Sequence, residues 1–167
     1  MYDSEEGLYY RDAKYIYPKH KTVNGKKDFW ARGDGWVLAA FARRLQDLPK
    51  EDKYRNEYIE RLKVMAKAVA ASQQPEGYWT RSMPDSEHAP GPETSGTAFF
   101  LYGILWGVNN DFLSKEEYTP VIDKAWKYLT SIALQPDGKI GYVQPIGEKA
   151  IPGQVVDANS QADFGVG

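Results

Sequence analysis

The chain has 167 residues, a formal net charge of −2, and 42% hydrophobic and 26% charged residues, which is typical of a globular domain. It contains no cysteine and two histidines, which excludes disulfides and thiolate metal sites and makes a histidine-based catalytic metal site an unfavourable prediction. No basic excess is available to neutralise a phosphate backbone, and the longest apolar stretch, residues 98–108, falls short of the roughly 20 residues that cross a bilayer, so neither nucleic acid nor membrane is a predicted partner.

The first 30 residues are rich in aromatic side chains and show no helical pattern. Asn24-Gly25 is a turn signal between residues 15–17 and Phe29-Trp30, which predicts a small β-hairpin. Aromatic residues make up 14% of the chain, and many lie in loops beside polar groups. Such loops suit carbohydrate recognition, because the C–H face of a sugar packs on an aromatic ring.

Two similar units follow, offset by 61 residues. The turn Gln-Pro-Glu-Gly at residues 74–77 recurs as Gln-Pro-Asp-Gly at 135–138, and Gly35 corresponds to Gly96. In each unit a loop ends at the glycine, an apolar helix follows, and an amphipathic helix returns. The returning helix of the first unit is predicted to bury Tyr58, Leu62, Met65 and Val69, and that of the second unit Val121, Ala125, Leu129 and Ile132. The second of these helices is predicted to start at a capping box over 114–117.

Helix pairs of this kind stack either around an axis or into a solenoid. Aromatic, glycine-rich loops before the inner helices favour the closed arrangement, in which they line a central pocket. We predict an all-α chain that is part of an (α/α)6 toroid, with about two helix pairs plus aromatic loops in a single domain over 1–167. Residues 160–167 resemble the start of a third inner helix, and the first half of the toroid is expected to be missing. The exposed inner helices of such a part predict self-association.

The segment 29–36, Phe-Trp-Ala-Arg-Gly-Asp-Gly-Trp, carries the strongest functional signal. Arg32 lies at the N-terminal end of an inner helix, where its planar guanidinium and the free N–H groups suit a carboxylate. Trp36 can stack under a sugar ring. A structural Arg that caps a neighbouring helix is the alternative.

This segment resembles the FW-[AG]-R-x-x-GW motif of glycoside hydrolase families 88 and 105, the unsaturated glucuronyl and rhamnogalacturonyl hydrolases. Four further segments resemble motifs of these families in the same order and spacing: GLYYRD at 7–12, QQPEGYWTR at 73–81, ETSGTA at 93–98 and SQADFG at 160–165. The resemblance spans nearly the whole chain. It implies an (α/α)6 toroid of the six-hairpin glycosidase type. It also implies an enzyme of polysaccharide degradation that hydrolyses a 4,5-unsaturated uronic acid from an oligosaccharide by hydrating the C4=C5 double bond.

Residue by residue, Arg32 matches the substrate-binding Arg of these families and Trp36 their stacking Trp. Arg11 lies where family 105 members often have a His that contacts the substrate, and this departure leaves the substrate subtype open. The other predicted substrate-binding residues are Trp30, Trp79 and Arg81, of which the last two are expected in rim loops around the leaving sugar. Asp34 is expected to orient its loop and Glu93 to brace N–H groups at a helix start.

The general acid of these families is an Asp in a D-x-L-[FY]-M motif, which does not occur here. The catalytic residue is therefore unassigned and expected outside this chain, and we expect the chain alone to be inactive. Asp12 and Asp163 are candidates for positions near the pocket, without that context. His20, in a basic run, is predicted to be a solvated loop residue, and the segment 83–92 with His88 is either a lid or padding.

Two other function classes remain open at this stage. The missing acid motif favours a non-catalytic helical module that binds carbohydrate or protein. Another toroid enzyme, such as a sugar epimerase, would need more histidines than the two present. The absence of a signal-peptide pattern leaves the compartment unknown, either the cytoplasm or the periplasm of a bacterium.

Overall fold

Two helix pairs and one small hairpin make up the fold of residues 1–161, which the computed structural model describes. The elements are β1 (Tyr2–Asp3), β2 (Leu8–Tyr9), α1 (Ala31–Asp47), α2 (Arg55–Ala71), α3 (Thr94–Asn109) and α4 (Lys115–Tyr128), which runs into a π-helical turn over Leu129–Ala133. The mostly helical prediction is confirmed. Asp163 and the rest of 162–167, where a third inner helix is predicted, lie outside the described residues.

The two inner helices, α1 and α3, pack directly on each other at a glycine seam (Gly35, Gly96 and Gly103). A Cβ atom on Gly103 would lie 2.6 Å from the Leu38 Cγ atom, and one on Gly35 would lie 2.9 Å from the Phe99 Cβ atom. No side chain larger than hydrogen fits at these distances, so the glycines allow the two helices to approach closely.

The outer helix α2 covers this pair with the face that the sequence predicts. Leu62, Met65 and Val69 are fully buried, and they pack in one cluster with Leu38 and Phe100 of the inner helices. A 3.6-residue period places such positions on one side of a helix, so burial of this stripe stabilises the pair.

Helix α4 begins as predicted and ends differently. The Ser114 hydroxyl accepts the Glu117 N–H at 3.3 Å, which is the expected cap. At the other end, Ile132 is 44% exposed, and the prediction that it lies on the buried face is wrong. The π-helical turn adds a residue per turn, which rotates Ile132 outwards and places Tyr128 and Ala133 in the interior.

The inner helices begin earlier than their glycines predict. Helix α1 starts at Ala31 rather than after Gly35, because the Ala31 N–H donates to the Arg81 carbonyl at 2.9 Å and so anchors the first turn. Helix α3 starts at Thr94, whose N–H donates to the Tyr142 carbonyl at 3.0 Å. Both anchors come from distant segments, which no local pattern reveals.

The predicted hairpin around Asn24-Gly25 is wrong, although the turn itself forms. Gly25 has a φ of 76° and its N–H donates to the Thr22 carbonyl, and the Thr22 N–H donates to the Lys26 carbonyl, but residues 15–17 and Phe29-Trp30 do not form the two strands. Trp30 forms a bridge with Ser82, and the small antiparallel sheet is instead β1 with β2. The repeated turns at 74–77 and 135–138 do form, with positive φ at the glycine of each.

None of the helices within residues 1–161 is long and apolar enough to cross a membrane.

Candidate functional site

A groove of about 670 Å³ lies along α1 and α3, and we call it the α1–α3 groove. Trp36 is 54% exposed there, and its ring lies 4.2 Å from that of Phe99, centroid to centroid. The other lining residues include Ala39, Ala40, Arg43, Thr94, Ser95, Ala98 and Tyr102. Exposed aromatic faces beside hydroxyl and guanidinium groups can bind a ligand that is apolar on one side and polar at its edges.

Arg32 lies beneath this surface rather than on it, and its side chain is only 5% exposed. Its Nε donates to the Ser95 Oγ at 2.8 Å, and its Nη2 lies 3.4 Å from the Glu93 Oε1. The two Nη atoms also donate to the carbonyls of Gln144 and Pro145. The expectation of an accessible carboxylate clamp therefore needs correction, because in this structure the guanidinium is a buried link between α1, α3 and a later segment.

Glu93 is the fully buried N-cap of α3. Its carboxylate accepts the Gly96 N–H at 2.7 Å and the Ser95 hydroxyl at 2.7 Å. It also accepts the Gln144 N–H at 3.2 Å and faces the Arg32 guanidinium. Helix N–H groups and a guanidinium both favour the charged carboxylate, so the cap and the ion pair support each other.

The segment that crosses Arg32, residues 141–154, is called the strap here, and no sequence motif predicts its role. Gln144 is fully buried, and its Oε1 accepts the Trp30 indole N–H at 2.8 Å. Its Nε2 donates to the Lys149 carbonyl at 2.9 Å and to the Gln154 Oε1 at 3.2 Å. The half-buried Trp30 therefore faces the strap, with the Arg32 guanidinium carbon 5.5 Å from its ring centroid.

Arg11 is exposed and holds the outside of the strap. Its Nη1 lies 2.8 Å from the Asp12 carboxylate and 3.0 Å from that of Glu148. The second contact joins the segment after β2 to the strap across 137 positions of sequence. Arg11 is thus placed at the rim of the same region as Trp30 and Arg32, paired with a carboxylate.

Trp79 and Arg81 are buried and do not form the exposed rim that the sequence predicts. Trp79 is fully buried, its indole N–H donates to the Val69 carbonyl at 2.7 Å, and its ring lies 5.2 Å from that of Phe100. Arg81 donates to the carbonyls of Gln154 and Pro90, both at 2.7 Å, and burial lowers the pKa of its guanidinium. Both side chains therefore support the site from behind, as packing and cross-links.

The two histidines meet at one buried carboxylate. The His20 Nε2 lies 2.7 Å from the Asp28 Oδ2, so the prediction of a solvated His20 is wrong. Ser82 donates to the other oxygen of Asp28 at 2.7 Å, and the His88 Nδ1 accepts the Val23 N–H at 3.0 Å. These contacts fasten segment 83–92 to the loop before α1. Within residues 1–161 no group of acidic and histidine side chains is arranged to hold a metal ion.

Asp34 is fully buried in the first turn of α1, and it holds the hairpin in place. Its Oδ1 accepts the Tyr9 N–H at 2.9 Å, whereas its Oδ2 has no hydrogen-bond partner among the described residues. Burial raises the pKa of the Asp34 carboxyl well above its ordinary value, against the smaller effect of the Tyr9 hydrogen bond.

We expect the Asp34→Asn variant to gain stability relative to the natural chain as the pH rises. A folded-state pKa above the unfolded one means that the folded state holds more protons, so the free energy of unfolding falls with rising pH between the two pKa values. The loss amounts to about 1.4 kcal/mol for each unit by which the pKa is raised, and asparagine removes it. Urea unfolding near pH 5 and near pH 8 measures the difference, and parallel pH profiles would contradict the shift.

The chain is similar to known proteins over its whole length. The model of Glycosyl Hydrolase Family 88 matches residues 1–167. An unsaturated 3S-rhamnoglycuronyl hydrolase of Alteromonas sp. (strain LOR) is 36% identical over 167 residues, which are 100% of this chain and 39% of that protein. The structure of a glycosyl hydrolase family 88 protein from Bacteroides vulgatus is 70% identical with a TM-score of 0.95, over 99% of this chain and 47% of the other.

A further solved structure, described as a polysaccharide lyase, is 76% identical with a TM-score of 0.95, and it is also matched over 99% of this chain and 47% of its own length. The chain therefore spans less than half of the length of each of these three proteins.

Proposed function

Because the chain belongs to glycosyl hydrolase family 88, we propose that it forms part of an enzyme that releases a 4,5-unsaturated uronic acid from the non-reducing end of an oligosaccharide. The oligosaccharide derives from pectin, rhamnogalacturonan or a glycosaminoglycan. The name of the Alteromonas relative supports a rhamnose next to the uronic acid. The two helix pairs belong, in this proposal, to an (α/α)6 toroid whose other pairs lie outside the 167 residues.

The proposed reaction adds water across the C4=C5 double bond. A carboxylic acid gives a proton to C4, and water adds to C5 and returns a proton to the carboxylate. The resulting C5 hemiketal opens to a C5 ketone and a C1 hemiacetal, which breaks down and releases the aglycone. This chemistry needs an acid that is protonated at the start and a surface that fixes the sugar ring. Neither a metal nor an organic cofactor takes part.

The observation that carries the proposal is the Trp36–Phe99 pair at the mouth of the α1–α3 groove. Trp36 is 54% exposed, and Ser95 and Thr94 line the same groove, so one sugar face can stack on Trp36 while its hydroxyls meet polar groups. Binding of a substrate carboxylate by Arg32 further requires that the strap carbonyls of Gln144 and Pro145 move away, because they occupy its Nη donors. Arg11 is exposed and pairs with Glu148 of the strap, outside the lining of the groove.

Asp34 is an unsuitable general acid despite its raised pKa. Residues two apart on an α-helix point about 200° apart, so Asp34 and Trp36 face opposite sides of α1. Its carboxyl contacts the Tyr9 N–H of the hairpin, away from the groove. We therefore place the acid outside the 167 residues and expect the isolated chain to be inactive.

The decisive test follows the C=C absorbance with the 167-residue chain and with the natural protein that carries it. We expect the natural protein, but not the 167-residue chain, to remove the absorbance of a lyase-generated unsaturated disaccharide. A gain of absorbance from intact polysaccharide would instead indicate β-elimination, the second candidate, which the 76% identity to a structure described as a polysaccharide lyase supports. Sugar binding without either change would favour a non-catalytic module.

We expect Trp36→Ala in the natural protein to lower kcat/KM by about 10- to 100-fold, the equivalent of about 1.4–2.8 kcal/mol of lost ring contact. Trp36 is 54% exposed, so the melting temperature should change little. Trp126→Ala is the matched control, because Trp126 is 61% exposed on α4 and outside the groove. Equal kinetics in the two variants would contradict the role of Trp36. Arg32→Ala is less informative, because it also leaves the buried Glu93 without its ion-pair partner.

A further inference from the structure

The Gln144 side chain of the strap is fully buried and contacts Trp30, a predicted substrate-binding residue. Its Oε1 accepts from the Trp30 indole, and its Nε2 donates both to the Lys149 carbonyl and to the Gln154 side chain. An amide has one acceptor and two donor groups to offer, so all of them are used here. A buried side chain that is satisfied in this way has one position and one orientation.

The main chain of Gln144 contacts both Glu93 and Arg32, the two charged residues of the buried ion pair. Its N–H donates to the Glu93 Oε1 at 3.2 Å, and its carbonyl accepts from the Arg32 Nη2. The two peptide units that flank the Gln144 Cα atom therefore contact the two members of the Arg32–Glu93 ion pair, and the buried side chain holds the residue that joins them. Trp30 is fixed by the same residue, through the indole bond.

We propose that Gln144 is a positioning residue for the substrate-binding surface, aligning Trp30 through its side chain. This inference rests on the proposed function for its kinetic consequence, and on geometry alone for its structural one. Because Gln144 acts through Trp30, its loss displaces a ring that meets the sugar in the proposed function without removing that ring. Displacing a substrate-binding group by about 1 Å is enough to lower kcat/KM by about 100-fold. If the group binds the substrate before the reaction as well as in the transition state, the loss appears as a higher KM.

The test uses Gln144→Met in the natural protein, since methionine has nearly the same length and lacks the amide. The control is Gln154→Leu, which removes one strap contact of Gln144 but leaves the bond to Trp30. Two readouts apply: kcat and KM on the unsaturated disaccharide, and the NMR resonance and exchange rate of the Trp30 indole N–H without substrate, assigned by its absence in Trp30→Phe.

We expect Gln144→Met to shift the indole resonance, to speed its exchange and to raise KM, while Gln154→Leu changes neither. Unchanged indole signals in Gln144→Met, or the same KM in both variants, would overturn the proposal. The indole measurement needs no catalysis. It therefore still tests the role of Gln144 if the protein turns out not to hydrolyse the disaccharide. If Gln144→Met does not fold, Gln144→Glu is the second variant, because it keeps an oxygen that can accept the Trp30 indole N–H. We expect the indole resonance to be retained in Gln144→Glu. Loss of that resonance in Gln144→Glu would also overturn the proposal.

Discussion

Glu93→Gln is expected to lower the free energy of unfolding by about 3–5 kcal/mol, the cost of removing one partner from a buried ion pair. Arg32 would keep its charge while its side chain is 5% exposed and would lose the Glu93 carboxylate as a partner. The new amide would also turn its N–H₂ group towards a donor that now points at one Glu93 oxygen, either the Gly96 N–H at Oε2 or the Gln144 N–H at Oε1. Both effects act in the same direction.

Urea unfolding of Glu93→Gln beside Glu60→Gln separates this effect from the general cost of the substitution. Glu60 pairs with Lys63 on the surface of α2, and its side chain is 66% exposed. We expect a change of about 0.5 kcal/mol or less in that control. A similar loss in both variants would show that the Arg32–Glu93 pair contributes nothing specific to stability.

Trp79→Ala is expected to destabilise the chain by about 3–5 kcal/mol, as large-to-small changes of buried aromatic residues do. Trp79 is fully buried between α2 and α3, and its removal leaves a cavity beside Phe100 and an unpaired Val69 carbonyl. Thermal and urea unfolding measure the effect, with the exposed Trp126→Ala as control. A change as small as in that control would mean that Trp79 is not a core residue, which would return it to the rim.

The helical pairs could be predicted because their signals are local. The stripe of Leu62, Met65 and Val69 follows one helical period, and the Ser114 cap lies beside the residue that it serves. The start of α1 at Ala31 depends on the Arg81 carbonyl, and the exposure of Ile132 depends on a π-helical turn. Neither leaves a trace in a short window of sequence.

The candidate site could be predicted in part, for the same reason. Its aromatic and charged residues are conspicuous, yet the burial of Arg32 and Trp79 comes from segments far along the chain. The 61-residue repeat does contain a signal for one contact of the site. Arg32 and Glu93 are 61 residues apart, the repeat offset, and equivalent positions of neighbouring pairs lie at the same height. Opposite charges at equivalent positions predict their contact. Gln144 has no such counterpart.

The glycine seam places a limit on how proteins with this arrangement can diverge. A Cβ atom on Gly103 would lie 2.6 Å from the Leu38 side chain, so a larger residue there requires that side chain or the two helices to shift. The loops before the helices contain none of the three seam glycines. Descendants can therefore exchange loop residues, and with them their preferred ligands, while the close approach of α1 and α3 depends on hydrogen atoms at three positions.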